Sequence, residues 1–283
     1  MKNLFKTLFF VTFSIFSTLG YAQQKSQINY VIVLDLSDRL LEPNQIKNDK
    51  ELIWTAFREF HQRIKSELIY VLATNSSFKV VIPTSRNLGI NSAEKMNELS
   101  ITLNDLRTNK NRIIEFEQKL PSKIHALYRE VMSGKKSKKE FHGTDIWEFF
   151  SYRLKYNLVP NADNRVLVIT DGYFDFETEG HVQKQGNLYS STSFLKTIRS
   201  KDLQAIEKLF TSKKIGLIPF QTNGISFQVG VVEIQSKFPD NLKEIEILTQ
   251  TWKYWLNFSG VKQYRFMPKQ TLNDSKLFIQ SFL

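Results

Sequence analysis

Ile28-Asn29-Tyr30-Val31-Ile32-Val33-Leu34-Asp35-Leu36-Ser37 carries a continuous apolar run, Tyr30 to Leu34, that stops at an aspartate. An unbroken run of β-branched and aromatic residues suits a central strand covered on both faces, because an alternating pattern would mark a sheet with one wet face. A second run of the same kind, Arg165-Val166-Leu167-Val168-Ile169-Thr170, stops at Asp171-Gly172. Between and beyond these two strands, helical and extended patterns alternate. Residues 48–65 place Ile53, Trp54, Phe57, Phe60 and Ile64 at three-to-four spacing, the stripe of an amphipathic helix. Further strands are expected at 67–73, 78–82, 215–220, 227–234 and 261–267, and further helices at 146–156, 202–210, 239–258 and 272–282. The segment 92–133 reads as two or more helices broken near Pro121, and 173–200 as a long polar stretch without a period.

This alternation predicts an α/β fold, a doubly wound and mostly parallel sheet with helices on both faces, with a helical insertion around 92–140. No internal repeat or change of composition divides the chain, so 23–283 is expected to form a single domain.

Residues 1–22 read as a secretory signal. Lys2 and Lys6 form a positive start, residues 7–19 an uncharged apolar stretch of 13 residues, and Gly20-Tyr21-Ala22 a small-residue cleavage site. The apolar stretch is shorter than the ~20 residues a spanning helix needs. No later stretch is apolar enough to span, so the expected location is the periplasm or the extracellular space. Cysteine is absent, which excludes disulfides, thiolate metal sites and a lipid-modified cysteine anchor. The formal charge is +11, and loss of Lys2 and Lys6 would leave +9. A basic surface favours anionic partners, but no nucleic-acid-binding motif is present, and nucleic acid is not the expected partner.

Asp35 and Asp171 each follow a strand and enter a turn, and Gly143-Thr144-Asp145 opens a helix. Ligands of open α/β sheets bind at the carboxyl ends of strands. Carboxylates and hydroxyls gathered there suit a hard divalent cation. At these residues the chain resembles the von Willebrand factor A domain family, whose metal-ion-dependent adhesion site joins an Asp-x-Ser-x-Ser loop, a Thr and a later Asp. Asp35 and Ser37 match the first loop, Thr144 the Thr, and Asp171 the final Asp. Arg39 stands where the family has its second Ser. The resemblance implies Mg2+ or Mn2+ held by Asp35, Ser37, Thr144 and Asp171, and a protein partner whose exposed Asp or Glu completes the coordination, with no bond made or broken.

A guanidinium has donors and no acceptor, so Arg39 cannot ligate a cation. Directed into the site, Arg39 would pair with Asp35 or Asp171 and could itself capture a partner's carboxylate. Directed away, it would leave Asp38 or Asp145 to supply the missing ligand. Two other readings remain open. A metal-dependent hydrolase of phosphate or sulfate esters would draw on Asp35, Asp38, Asp145, Asp171 and Asp175. Against it, His61, His125, His142 and His181 show no ligand spacing, and there is no phosphate loop or nucleophile elbow. A binder of anionic polymer would use Lys135, Lys136, Lys138 and Lys139. Trp252 and Trp255, three apart on a helix, read as core residues.

Overall fold

The computed structural model describes residues 27–66, 75–83, 88–105, 108–174, 182–222, 224–238 and 240–283. The expected signal segment, the expected strand at 67–73, Asp175 and His181 lie outside them.

The main sheet has six strands. β1 is Ile28–Leu34, β2 Ser76–Val81, β3 Ile101–Leu103 and β4 Asp163–Ile169. Two short strands, β5 (Lys184–Gln185) and β6 (Leu188–Tyr189), form a hairpin, and β7 is Gly216–Leu217. β8 (Gln228–Ile234) and β9 (Gln263–Pro268) complete the set. The order in the main sheet is β3-β2-β1-β4-β8-β9, while β5, β6 and β7 make a separate small sheet. β2, β1, β4, β8 and β9 run parallel, and β3 closes one edge antiparallel to β2. This is the doubly wound, mostly parallel arrangement expected.

The two faces of β1 show how the sequence produces it. Tyr30, Ile32 and Leu34 pack with one core, and Val31 and Val33 with another, all fully buried. The first core is covered by α1 (Gln45–Ser66), α3 (Asn109–Val131) and, near the C-terminus, Leu272–Phe282. Between β2 and β3 lies the short α2, Ser92–Glu98. The second core is covered first by α4, which begins as Ile146–Glu148, widens to a π-helical turn over Phe149–Arg153 and ends as Leu154–Asn157. After α5 (Leu195–Ile198) come α6 (Leu203–Thr211) and α7 (Glu244–Phe258), which complete that layer. The helix Leu272–Phe282 is α8. Each buried Val, Ile or Leu removes enough apolar surface from water to stabilise the fold by about 1.5–3 kcal/mol. A strand buried on both faces therefore has no polar alternative register.

Three expectations need correction. The segment 92–133 is not wholly helical: Ile101-Thr102-Leu103 forms β3, with Ile101 and Leu103 buried and Thr102 exposed. Pro121 does not break α3, which runs through it. The proline sits on the exposed face, so the carbonyl it deprives of a donor can meet water, and the buried stripe Ile113, Phe116, Leu120, Ile124 and Leu127 continues past it. Finally, only Gly216–Leu217 of the expected 215–220 strand is extended, and it belongs to the small sheet. Trp252 and Trp255 are core residues, as expected, and no helix among the described residues is long and apolar enough to cross a membrane.

Candidate functional site at the carboxyl ends of the strands

Parallel pairing in register, Leu34 beside Ile169, sets the turns after β1 and β4 side by side. The Asp35 N–H donates to the Ile169 carbonyl at 3.1 Å, which carries the pairing one residue past the strand. The Asp35 carboxylate is buried and satisfied on both oxygens. Oδ1 accepts the Ser37 N–H at 3.0 Å, and Oδ2 accepts the Thr170 hydroxyl at 2.7 Å. Thr170 Oγ1 in turn accepts the Gly172 N–H at 3.0 Å. One hydroxyl thus locks both turns together.

Gly172 has φ +97°, a conformation that disfavours any side chain. Its carbonyl accepts the Trp252 Nε1–H at 3.0 Å, so α7 anchors this turn from behind. Asp171 follows the same logic as Asp35: Oδ1 accepts the Tyr173 N–H at 3.1 Å, while Oδ2 lies 3.5 Å from Lys237 Nζ. Burial pushes the Asp171 carboxyl up to about 7, opposed by the ammonium of Lys237 and reinforced by the charge of Asp35.

Arg39 does not bridge Asp35 and Asp171. It lies in the 3-10 turn Asp38–Leu41 and points back beneath the site, nearly buried. Its Nε donates to the Asp35 main-chain carbonyl at 3.0 Å and stays 3.8 Å from Asp35 Oδ2. Its Nη2 donates to Asp49 Oδ2 at 2.7 Å and to the Ile169 carbonyl at 3.3 Å. Asp49, on α1, is fully buried and also accepts Gln45 Nε2 at 2.8 Å and the Tyr128 hydroxyl at 3.0 Å. Burial works against the Arg39 charge, but Asp49 and Asp35 more than offset it and hold its pKa above the ordinary value. The guanidinium braces the ends of β1 and β4 against α1 and α3.

The other candidates divide. Asp38 is partly exposed and lies 3.4 Å from Lys237 Nζ. Asp145 caps α4, accepting the Glu148 N–H at 2.7 Å, and burial raises its carboxyl to about 6. Thr144, just before that cap, is buried. Its Oγ1 and Ser37 Oγ are both buried hydroxyls without a hydrogen-bond partner. Leaving such a group unpaired costs about 1–3 kcal/mol. These two residues are the ones matched to metal-ligating hydroxyls.

Among the described residues no cluster of three or more His, Cys, Asp or Glu side chains is placed to hold a metal ion. A hydroxyl-rich set does not depend on such a cluster. Two unpaired hydroxyls together with the Asp35 and Asp171 carboxylates are hard oxygen donors and fit Mg2+ or Mn2+ by chemical type. Of these four residues Asp171 lines a cleft of about 260 Å3, together with Asp38, Glu233, Lys138 and Lys237 among others.

Two of the histidines are engaged elsewhere: His61 with Glu117 at 2.9 Å and His125 with Lys50 at 3.1 Å. Lys135 packs over the Phe141 ring and reaches the Leu88 carbonyl, so the lysine-rich loop is partly tied down. Sequence reasoning did not find Asp49, Thr170 or Lys237. Thr170 had a signal, since it immediately precedes the Asp-Gly turn. Asp49 and Lys237 had none, because the charges they pair with, Arg39 and Asp171, lie 10 and 66 positions away in the chain.

No protein-family model matches the chain, and no curated protein does. Among solved structures, two crystal structures of the pilus adhesin SpaC from Lactobacillus rhamnosus GG, one in an open conformation, align with 92% of this chain. Identity is 9% and 11%, with TM-scores of 0.45 and 0.46. The chain spans 30% of the length of those adhesin chains, and a likeness this distant carries no conclusion about what it binds.

Proposed function

We propose that this chain is an exported binding module resembling the von Willebrand factor A domains, without catalytic activity, that recognises an exposed Asp or Glu of a protein partner at the carboxyl ends of β1 and β4. The observation that carries this reading is the pair of buried, unpartnered hydroxyls, Ser37 Oγ and Thr144 Oγ1, at the two positions where the resemblance expects ligands. A divalent cation would satisfy both. Held by Ser37, Thr144, Asp35 and Asp171, it would supply a Lewis-acidic centre for a partner's carboxylate. The chain's own contribution is to hold the two carboxylates still. The Thr170 hydroxyl and the Ser37 and Tyr173 N–H groups fix their orientation, and Arg39 with Asp49 stiffens the backbone beneath. The positive charge of the chain would steer an acidic partner inward.

Thermal unfolding with chelator and with millimolar Mg2+ or Mn2+ tests the metal. A ligand that binds only the native state at a hundredfold excess over its Kd stabilises by about 2.7 kcal/mol. The shift should vanish in Ser37→Ala and in Asp35→Ala. A shift that survives both substitutions places the metal elsewhere. Partner recognition is tested with an immobilised peptide array in which a single Asp or Glu is exchanged for Asn or Gln. Equal binding of acid and amide, or binding unaffected by Thr144→Ala, would contradict a carboxylate-seeking site.

A further inference from the structure

The site carries a cation of its own. Lys237 lies in the loop after β8, and its Nζ stands 3.5 Å from Asp171 Oδ2 and 3.4 Å from Asp38 Oδ1. Asp171 Oδ2 is the oxygen that the backbone leaves for a ligand, since Oδ1 is engaged by the Tyr173 N–H. The position of Lys237 is built into the fold. The Gln235 N–H donates to the Asp171 carbonyl at 3.0 Å, and the Lys237 N–H donates to the Tyr173 hydroxyl at 3.2 Å. That hydroxyl donates to Glu244 Oε1 at 2.9 Å. Glu244, fully buried at the start of α7, is gripped by Arg199 through two contacts of 2.7 Å. Arg199 stacks on Phe238, the residue after Lys237, at 3.9 Å from the ring centroid. The ammonium itself rests on the face of Tyr173, 4.9 Å from its centroid.

The backbone of the loop is therefore held at both turns, while the lysine side chain is 28% exposed and opens on the cleft. It can swing into water without disturbing the turn that carries it.

We infer that Lys237 is the residue that sets cation affinity at this site: its ammonium, held between Asp38 and Asp171, takes up Asp171 Oδ2, the oxygen a divalent ion would need, and a metal must displace it. This rests on the proposed metal-assisted reading of the same site. A divalent ion coordinated at ~2.1 Å to Asp171 Oδ2 would lie within roughly 6 Å of Nζ as placed. Like charges that close, in a partly buried setting, disfavour one another strongly enough to weaken binding by about tenfold or more. The metal and the lysine head thus alternate. Metal entry releases a positive side chain into the mouth of the cleft, where Lys138 also lies and where an acidic partner would approach. Without metal, the lysine neutralises the two carboxylates and keeps the empty site from repelling itself.

The test is direct titration of the full chain with Mn2+ at constant ionic strength, reading free Mn2+ by electron paramagnetic resonance. Lys237→Met and Lys237→Gln should bind Mn2+ at least tenfold more tightly than the wild type, and Lys237→Arg should stay within about threefold of it. Asp171→Asn should lose binding. Equal affinity in wild type and Lys237→Met, with binding still lost in Asp171→Asn, would overturn the role of Lys237 and leave the metal site intact. Absence of Mn2+ binding in every variant would overturn both. Weaker binding in both Lys237→Met and Lys237→Gln would also overturn the inference, making the lysine a supporting rather than a competing group.

Discussion

Replacing Arg39 with methionine keeps the length and apolar stem of the side chain and removes its charge. The guanidinium makes three hydrogen bonds, to Asp49 Oδ2 and to the carbonyls of Asp35 and Ile169. The two side chains of the ion pair are 3% and 0% exposed, so no water replaces what is lost. Asp49 keeps Gln45 and Tyr128 as donors but becomes a buried carboxylate without a counter-ion. Removing one partner of a buried pair costs about 3–5 kcal/mol. For a domain of this size that lowers Tm by roughly 6–20 °C.

The deficit should also depend on pH in a definite sense. Burial already raises the Asp49 carboxyl above its ordinary value even with Arg39 beside it, and losing the cation raises it further. A carboxyl raised in the folded state favours folding when protonated, below its unfolded value near ~3.9. That advantage is lost as pH rises through its folded value. Urea unfolding should therefore show the full loss in Arg39→Met at about pH 8 and a smaller one toward about pH 5. The double variant Arg39→Met with Asp49→Asn should recover part of it, through a coupling energy of about 2 kcal/mol. A loss below about 1 kcal/mol, a loss equal at both pH values, or strict additivity would refute the bracing role assigned to this pair.

Four further outcomes can be checked by the same unfolding assay. Gly172→Ala should destabilise by about 1–3 kcal/mol, because its φ of +97° suits only glycine and the new methyl would sit 3.3 Å from Ile234 Cγ2. It should also abolish any metal-induced shift, since the turn carries Asp171. Trp252→Phe keeps most of the packing but strands the Gly172 carbonyl, for a loss of about 1–3 kcal/mol. Gly230→Ala would drive a methyl to 2.8 Å from the Phe282 ring and should cost about 1–3 kcal/mol by forcing α8 off the sheet. Thr271→Ala, which removes the capping box of α8, should cost about 1 kcal/mol.

The central strands were legible because their signal is local and redundant. Tyr30 to Leu34 and Val166 to Ile169 leave no exposed face, and such runs suit strands covered by helices on both sides. β3 was not legible: Ile101-Thr102-Leu103 is too short to establish a period, and it pairs at Phe78 and Ser76 through contacts remote in the chain. Pro121 misled for a related reason. Whether a proline breaks a helix depends on which face it occupies, and α3 turns it to the solvent.

At the site the division is sharper. Asp35 and Asp171 stood out because each follows a strand and enters a turn, while Ser37 and Thr144 were singled out by the resemblance to the von Willebrand factor A domains. That the two turns would lie at one edge of the sheet followed from parallel strands ending in Asp, whereas their standing side by side is set by the strand order. Where the charges go did not follow. Arg39 was open to either direction from its position alone. It turns beneath the site, toward the helices, because Asp49 and Tyr128 offer a buried anion and its hydroxyl partner there. Lys237 faces the carboxylates because a network around Glu244 holds its loop there. A strand follows from the residues along it, whereas the direction of a long charged side chain is set by whichever opposite charge the assembled fold brings within ~4 Å.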